Sequence, residues 1–218
     1  MYAKYIKRIL DFILSLIEFI VLSPLMLVIY ILVRVKLGKT AIFKQQRPGK
    51  DEKIFTLYKF RTMTDEKDEN GNLLPDEIRL TKFGKFLRST SLDELPELIN
   101  IIKGDMAIVG PRPQLIRDMI FMTESQRKRH TVRQGLTGLA QINGRNNITW
   151  EDKINYDLEY IQNITFINDV KIILKTIGKV FKRADVATTG MDTAEDLCDY
   201  LLRMKKITKE EYDEKLKI

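Results

Sequence analysis

Residues 9–33 are apolar apart from Asp11, Ser15, Glu18, Ser23 and Pro24. As a straight helix this run reaches about 37 Å, enough to cross a hydrocarbon core of about 30 Å. It is too long for a secretory signal, and Val33-Arg34-Val35-Lys36 lacks the small residues of a cleavage site. Lys4, Lys7 and Arg8 precede it, and Arg34, Lys36, Lys39 and Lys44 follow. Basic flanks favour the cytoplasmic side, so both ends favour the same side. Pro24 deletes a helical hydrogen bond in mid-run, and Ser23 can cap the carbonyl so freed. Residues 1–37 are therefore expected to enter the membrane as a re-entrant helix, bend at Ser23-Pro24 and return. A single span with a proline kink is the other reading of the same pattern.

Beyond this run the periods shorten. Residues 41–44 and 54–63 read as two strands of a small β-hairpin around the Pro48-Gly49 turn signal. Alternation puts Phe55, Leu57, Lys59 and Arg61 on one face of the second strand, with Tyr58 and Phe60 on the other. Residues 64–75 form a polar loop. Helical spacing predicts helices over 78–88, over 95–102 with Gly104 closing the end, over 114–129, and from Trp150 onward. Residues 106–109 are a short buried strand or extended run, and Gly135, Gly138 and Gly144 punctuate an irregular segment. Residues 166–183 pair Ile173, Ile177, Val180 and Phe181 with five basic side chains. That suits a helix lying in the headgroup plane, or a surface helix packed on the core. Two capped starts, Thr193-Ala194-Glu195-Asp196 and Thr208-Lys209-Glu210-Glu211, predict a C-terminal helical hairpin. The fold class is α+β, mainly helical: a membrane segment over 1–37, a cytosolic domain with interfacial helices over 38–185, and a helical tail over 186–218.

Composition narrows the chemistry. A net charge of +7 suits anionic partners, although surface lysine also serves solubility. One cysteine, Cys198, excludes a disulfide framework, and one histidine, His130, excludes a multi-histidine zinc site. Any catalysis must then rest on carboxylates, Lys and Arg, with or without a hard oxygen-liking metal such as magnesium.

Asp93 and Glu94 stand at an expected helix start just after Arg88. Ser91-Leu92-Asp93-Glu94 satisfies a capping box, which is the structural reading. Pro96 makes Asp93 the better N-cap, because Pro96 then falls among the first residues, whose N–H groups have no intrahelical partner. An ionised carboxylate beside a cation is also what attack on phosphorus requires. Neighbours on a helix diverge by about 100°, so the pair would take unequal roles. Gly110-Pro111-Arg112-Pro113 presents an arginine from a stiff backbone, a candidate phosphate clamp. Gln141 and Gly144-Arg145-Asn146 offer a weaker second contact.

Together, residues 86–98, Lys103-Gly104-Asp105-Met106 and Val109-Gly110-Pro111-Arg112-Pro113 resemble the bacterial sugar transferase family, the monotopic phosphoglycosyl transferases. Residues 58–63, 135–141 and Asn143-Gly144-Arg145 match its other segments in order, over about residues 1–183 in all. The short form is most similar to members that initiate bacterial N-glycosylation. The resemblance implies a magnesium-dependent transfer of phosphosugar from a UDP-sugar to polyprenyl phosphate through a covalent aspartyl intermediate, with UMP released. It implies Asp93 as nucleophile and Glu94 as its assistant, the two holding magnesium. Lys59, Arg88, Arg112 and Arg145 are implied as phosphate and nucleotide contacts, with Pro111 in the clamp motif and Gln141 and Asp157 in the pocket. It further implies the re-entrant topology at the cytosolic face of the bacterial inner membrane. UDP-N,N′-diacetylbacillosamine is the suggested donor, with UDP-N-acetylhexosamines and UDP-hexoses beside it.

Two other functions fit parts of the pattern. One is a non-enzymatic protein binding anionic lipid through its basic face, and the other a sugar-only transferase that releases UDP. Nucleic acid is not expected as a partner, because no recognised motif is present.

Overall fold

The computed structural model describes residues 1–144, 148–182 and 195–217. The apolar run forms helix α1 (Lys7–Leu37), led in by a π-helical turn over Tyr2–Ile6. Among the described residues it is the one helix long and apolar enough to cross a membrane. α1 continues through Pro24 as one helix. The Ser23 hydroxyl donates to the Ile20 carbonyl at 2.8 Å, the acceptor that a proline four residues on leaves without its amide.

Both ends of α1 are fastened to the rest of the chain. Near the start, Arg8 donates to the carbonyls of Ile101 and Ile102 at 2.6 and 2.9 Å, and Lys7 to Asp169 at 2.7 Å. Buried Asp11 accepts the Ile108 amide at 3.3 Å. Near the end, Ile29, Val33 and Leu37 pack with Ala41, Phe60 and Leu87. In between, Ile17, Ile20, Val21, Leu27 and Val28 remain exposed.

Strands β1 (Ile42–Pro48) and β2 (Ile54–Phe60) form the antiparallel hairpin, with Phe43 opposite Lys59 and Arg47 opposite Phe55. β1 runs further than expected, through Gln45-Gln46-Arg47, because each of these residues has a partner on β2. β2 is covered on both sides. Leu57 enters a cluster with Leu98, Ile101, Met106 and Val109, while Phe60 joins the cluster around Val33.

The helix expected over 78–88 is two pieces, α2 (Asp76–Arg79) and α3 (Lys82–Ser89). Leu80 leaves helical space and Thr81 caps α3, its hydroxyl accepting the Gly84 amide at 3.1 Å. A 3₁₀ turn, Leu92–Glu94, precedes α4 (Glu97–Lys103), which Gly104 ends at φ +94° as expected. Next comes β3 (Met106–Val109), wholly buried. The helix expected over 114–129 breaks into α5 (Ile116–Phe121), α6 (Glu124–Arg127) and a 3₁₀ turn, because Met122 turns extended and Thr123 starts a new capping box.

The glycine-rich segment is more ordered than its sequence suggests. β4 (Gln134–Thr137) pairs in parallel with β3, and α7 (Leu139–Ile142) follows. α8 (Trp150–Gln162) begins at a Thr149 cap, and α9 (Phe166–Lys182) buries Ile172 while leaving Phe166, Ile167, Leu174 and Ile177 exposed. The tail forms α10 (Leu197–Arg203) and α11 (Lys209–Leu216), the latter with the expected capping box at Thr208. The other expected cap, Thr193-Ala194, lies outside the described residues. Leu197, Cys198 and Tyr200 pack on Phe121, Trp150 and Ile154. The architecture is α+β and mainly helical.

Candidate active site

Asp93 and Glu94 lie in the 3₁₀ turn, so Asp93 is not the helix N-cap that its spacing from Pro96 predicts. Ser91 takes a left-handed conformation (φ +55°) to enter that turn, and it makes no capping bond. Pro96 then occupies the N-cap position of α4, where a missing N–H leaves no intrahelical acceptor unmet. Asp93, Glu94 and Glu97 are all buried, and cations meet them.

Glu94 Oε1 accepts from Lys59 Nζ at 2.8 Å and from Arg112 Nη2 at 2.6 Å. Lys59 also reaches Glu97 Oε1 at 3.1 Å. Burial disfavours the Lys59 ammonium, but Glu94 and Glu97 outweigh it and raise its pKa. Glu94 likewise raises Arg112, so both cations stay charged. Burial pushes the Glu97 carboxyl up to about 7, offset in part by Lys59. Asp93 contributes to the field at both cations. Arg88, in the last turn of α3, donates through Nε to Thr62 Oγ1 at 3.1 Å.

The 110–113 clamp is locked from behind. The Gly110 amide donates to Thr137 O at 2.9 Å, and the Gly135 amide to Pro111 O at 2.8 Å. These backbones are so close that a Cβ on Gly135 or Gly138 would strike the Gly110 backbone. The Arg112 carbonyl accepts Arg129 Nη2 at 2.6 Å, and fully buried Arg129 is held by Asp157 at 2.7 and 2.9 Å. Asp157, expected in the pocket, thus stands behind the clamp and orients it through Arg129.

In front lies a cavity of about 250 Å³. Glu94, Arg112 and Gln141 line it among apolar side chains that include Leu22 of α1 and Ile173 and Ile177 of α9. Both amide atoms of Gln141 are buried there with no hydrogen-bond partner among the described residues, leaving donor and acceptor capacity that a bound molecule could use. Arg145 lies outside the described residues.

Sequence reasoning passed over Glu97, Arg129 and Arg47. Glu97 had a signal, since it follows Glu94 by three residues and so shares its side of a turn. Arg129 had none, because an arginine in a polar run reads as solvated. For magnesium, the described residues gather no set of three Asp, Glu, His or Cys side chains. An ion shared with bound phosphates needs only one or two carboxylates, and the buried Asp93 and Glu94 are the ones that would supply them. The arrangement can grip a phosphate between cations, beside a carboxylate and an apolar chamber.

Similarity to known proteins agrees with that chemistry. The sequence model for bacterial sugar transferases matches residues 2–183. The chain is 48% identical over 190 residues to the uncharacterized sugar transferase EpsL of Bacillus subtilis, covering 87% of this chain and 94% of that one. It is 42% identical over 185 residues to the UDP-glucose:undecaprenyl-phosphate glucose-1-phosphate transferase of Klebsiella pneumoniae, covering 80% of this chain and 40% of the other. To the undecaprenyl-phosphate galactose phosphotransferase of Salmonella typhimurium it is 34% identical over 198 residues, or 83% and 41% of the two chains. The chain thus spans about four-tenths of the latter two relatives. By the length of the family match and by these identities, the protein belongs to the bacterial sugar transferase family.

Proposed function

We propose that the protein transfers a phosphosugar from a UDP-sugar to polyprenyl phosphate at the cytosolic face of the bacterial inner membrane, releasing UMP. The observation that carries this reading is the buried Glu94 carboxylate bridged by Lys59 and Arg112, next to Asp93 and at the wall of an apolar cavity. Asp93 attacks the sugar-bearing phosphorus: its carboxylate oxygen forms a P–O bond while the bond to UMP breaks, and the electron pair leaves on the UMP phosphate. A phosphate oxygen of the lipid then attacks the same phosphorus and the bond to Asp93 breaks, restoring the carboxylate. No proton need change hands. Glu94 fixes Lys59 and Arg112, and these two spread charge from the phosphoryl oxygens.

Magnesium bound by Asp93 and Glu94 would neutralise donor phosphates. The re-entrant course is supported by the attachment of both ends of α1 to one body of chain, which leaves its exposed middle for lipid. The exposed apolar side chains of α9 suit the same interface. Two of the relatives named above are, by name, a glucose-1-phosphate transferase and a galactose phosphotransferase. UDP-glucose and UDP-galactose therefore lead the donor panel, with UDP-N,N′-diacetylbacillosamine and UDP-N-acetylhexosamines beside them. Purified protein is incubated with each donor, with and without polyprenyl phosphate. UMP release and a phosphosugar adduct at Asp93 are expected; UDP release, or no nucleotide at all, overturns the reading.

A further inference from the structure

Two cations beside the clamp differ from Lys59 and Arg112 in having no carboxylate at ion-pair distance among the described residues. Arg47 of β1 donates through Nη1 to Pro113 O at 3.4 Å and through Nη2 to Gln45 Oε1 at 2.5 Å. Its Nε is buried with no hydrogen-bond partner among the described residues. Lys153 of α8 stands 4.8 Å over the Trp150 ring. It lies one turn before Asp157, on the same side of the helix as the residue that orients Arg112 through Arg129.

Of the nearby carboxylates, Asp118 accepts the amides of Leu115 and Leu197, and Glu195 pairs with Arg203. Asp157 holds Arg129 through Oδ2, while its Oδ1 makes no hydrogen bond among the described residues; none of the three stands at ion-pair distance from Arg47 or Lys153. Burial first, then the charge of Arg112, lowers the pKa of Arg47 to about 10 and lowers that of Lys153. Half-buried cations that repel a third one make a region which an anion would relieve.

We propose that Arg47 and Lys153 form, with Arg112, a second anion subsite that takes the phosphate of the departing nucleoside monophosphate. This rests on the reaction proposed above. Neither Arg47 nor Lys153 lines the cavity bordered by α1 and α9, whereas Arg112 does. The subsite therefore lies away from the lipid-facing apolar walls and suits the water-soluble half of the donor. Arg112 joins the two regions and can follow charge as it moves onto the leaving oxygen.

The test compares dissociation constants for UMP, uridine and inorganic phosphate in the parent, R47Q and K153M, with melting temperatures as the folding check. UMP binding is expected to weaken about tenfold in each variant, the effect of one charge-assisted hydrogen bond. Uridine affinity and the KM for polyprenyl phosphate stay unchanged, and R47K and K153R restore most of the loss. In the unaltered protein, saturating UMP should protect Lys153 from an amine-acylating reagent, as read by mass spectrometry. The subsite is overturned if UMP leaves Lys153 unprotected, if UMP and uridine weaken alike, or if the KM for the lipid phosphate rises in place of the UMP constant. Absence of UMP-forming turnover in the parent sinks the reaction itself, a separate result.

Discussion

Arg112 Nη2 lies 2.6 Å from Glu94 Oε1, joining the proline-flanked clamp to the turn that carries Asp93. The bond makes the two motifs one unit, so their substitutions should differ in kind. Asp93→Asn should abolish both the adduct and turnover. Glu94→Gln weakens two charge-assisted bonds and should lower kcat/KM by roughly 100-fold while still forming the adduct. Equal residual activity in the two variants would count against separate roles for the neighbours.

Asp157 tests the rear support. Asp157→Asn leaves Arg129 buried without its counter-charge, an effect of about 3–5 kcal/mol. Thermal unfolding in detergent should show a large drop, with a raised KM for the UDP-sugar as Arg112 loses its backbone restraint. An unchanged melting temperature would show that the pair is solvated in practice.

His130 supplies a pH signature of stability. Burial first, and then the charge of Arg129, lowers its pKa to about 4, against an ordinary value of about 6.5. Between those values the unfolded chain binds a proton that the native state does not. The stabilisation is complete above about pH 6.5 and is lost as pH falls toward 4, up to about 3 kcal/mol in all. His130→Asn should flatten the fall of melting temperature over that window; parallel curves would refute the assignment.

Ser23 and Pro24 should act oppositely on α1. Ser23→Ala strips the Ile20 carbonyl of its donor, a loss of about 1 kcal/mol in an apolar setting. Pro24→Ala returns a backbone N–H to the same carbonyl and removes the cause of a bend. A cysteine placed before Lys4 should label only from the cytosolic side in the parent, and in part from the other side in Pro24→Ala. Labelling of the parent from the periplasm would rule out re-entry.

Long patterned elements could be read from the chain itself. α1, α8 and α9 follow from apolar spacing, and α11 from its capping box, because many residues vote for each. The breaks at Leu80 and Met122 could not, since one residue's backbone angles decide them. β3–β4 pairing was hidden too. Its strands are nearly all buried and lack alternation, and their pairing joins residues such as Ala107 and Gly135 far apart in sequence. At the site, Asp93, Glu94, Lys59 and Arg112 were legible as motif residues. The Arg129–Asp157 support was not, because burial of an arginine depends on a partner that only the folded chain brings near.

The contact of Gly135 and Gly138 with the Gly110 backbone also bears on how this protein can change. At these positions a substitution moves the clamp as a block, and Arg112 with it. There is no graded series of variants to explore, only fit or loss. A library seeking altered substrates gains nothing there. Residues that line the cavity without holding the clamp, such as Gln141, are where selectivity can drift while the clamp stays in register.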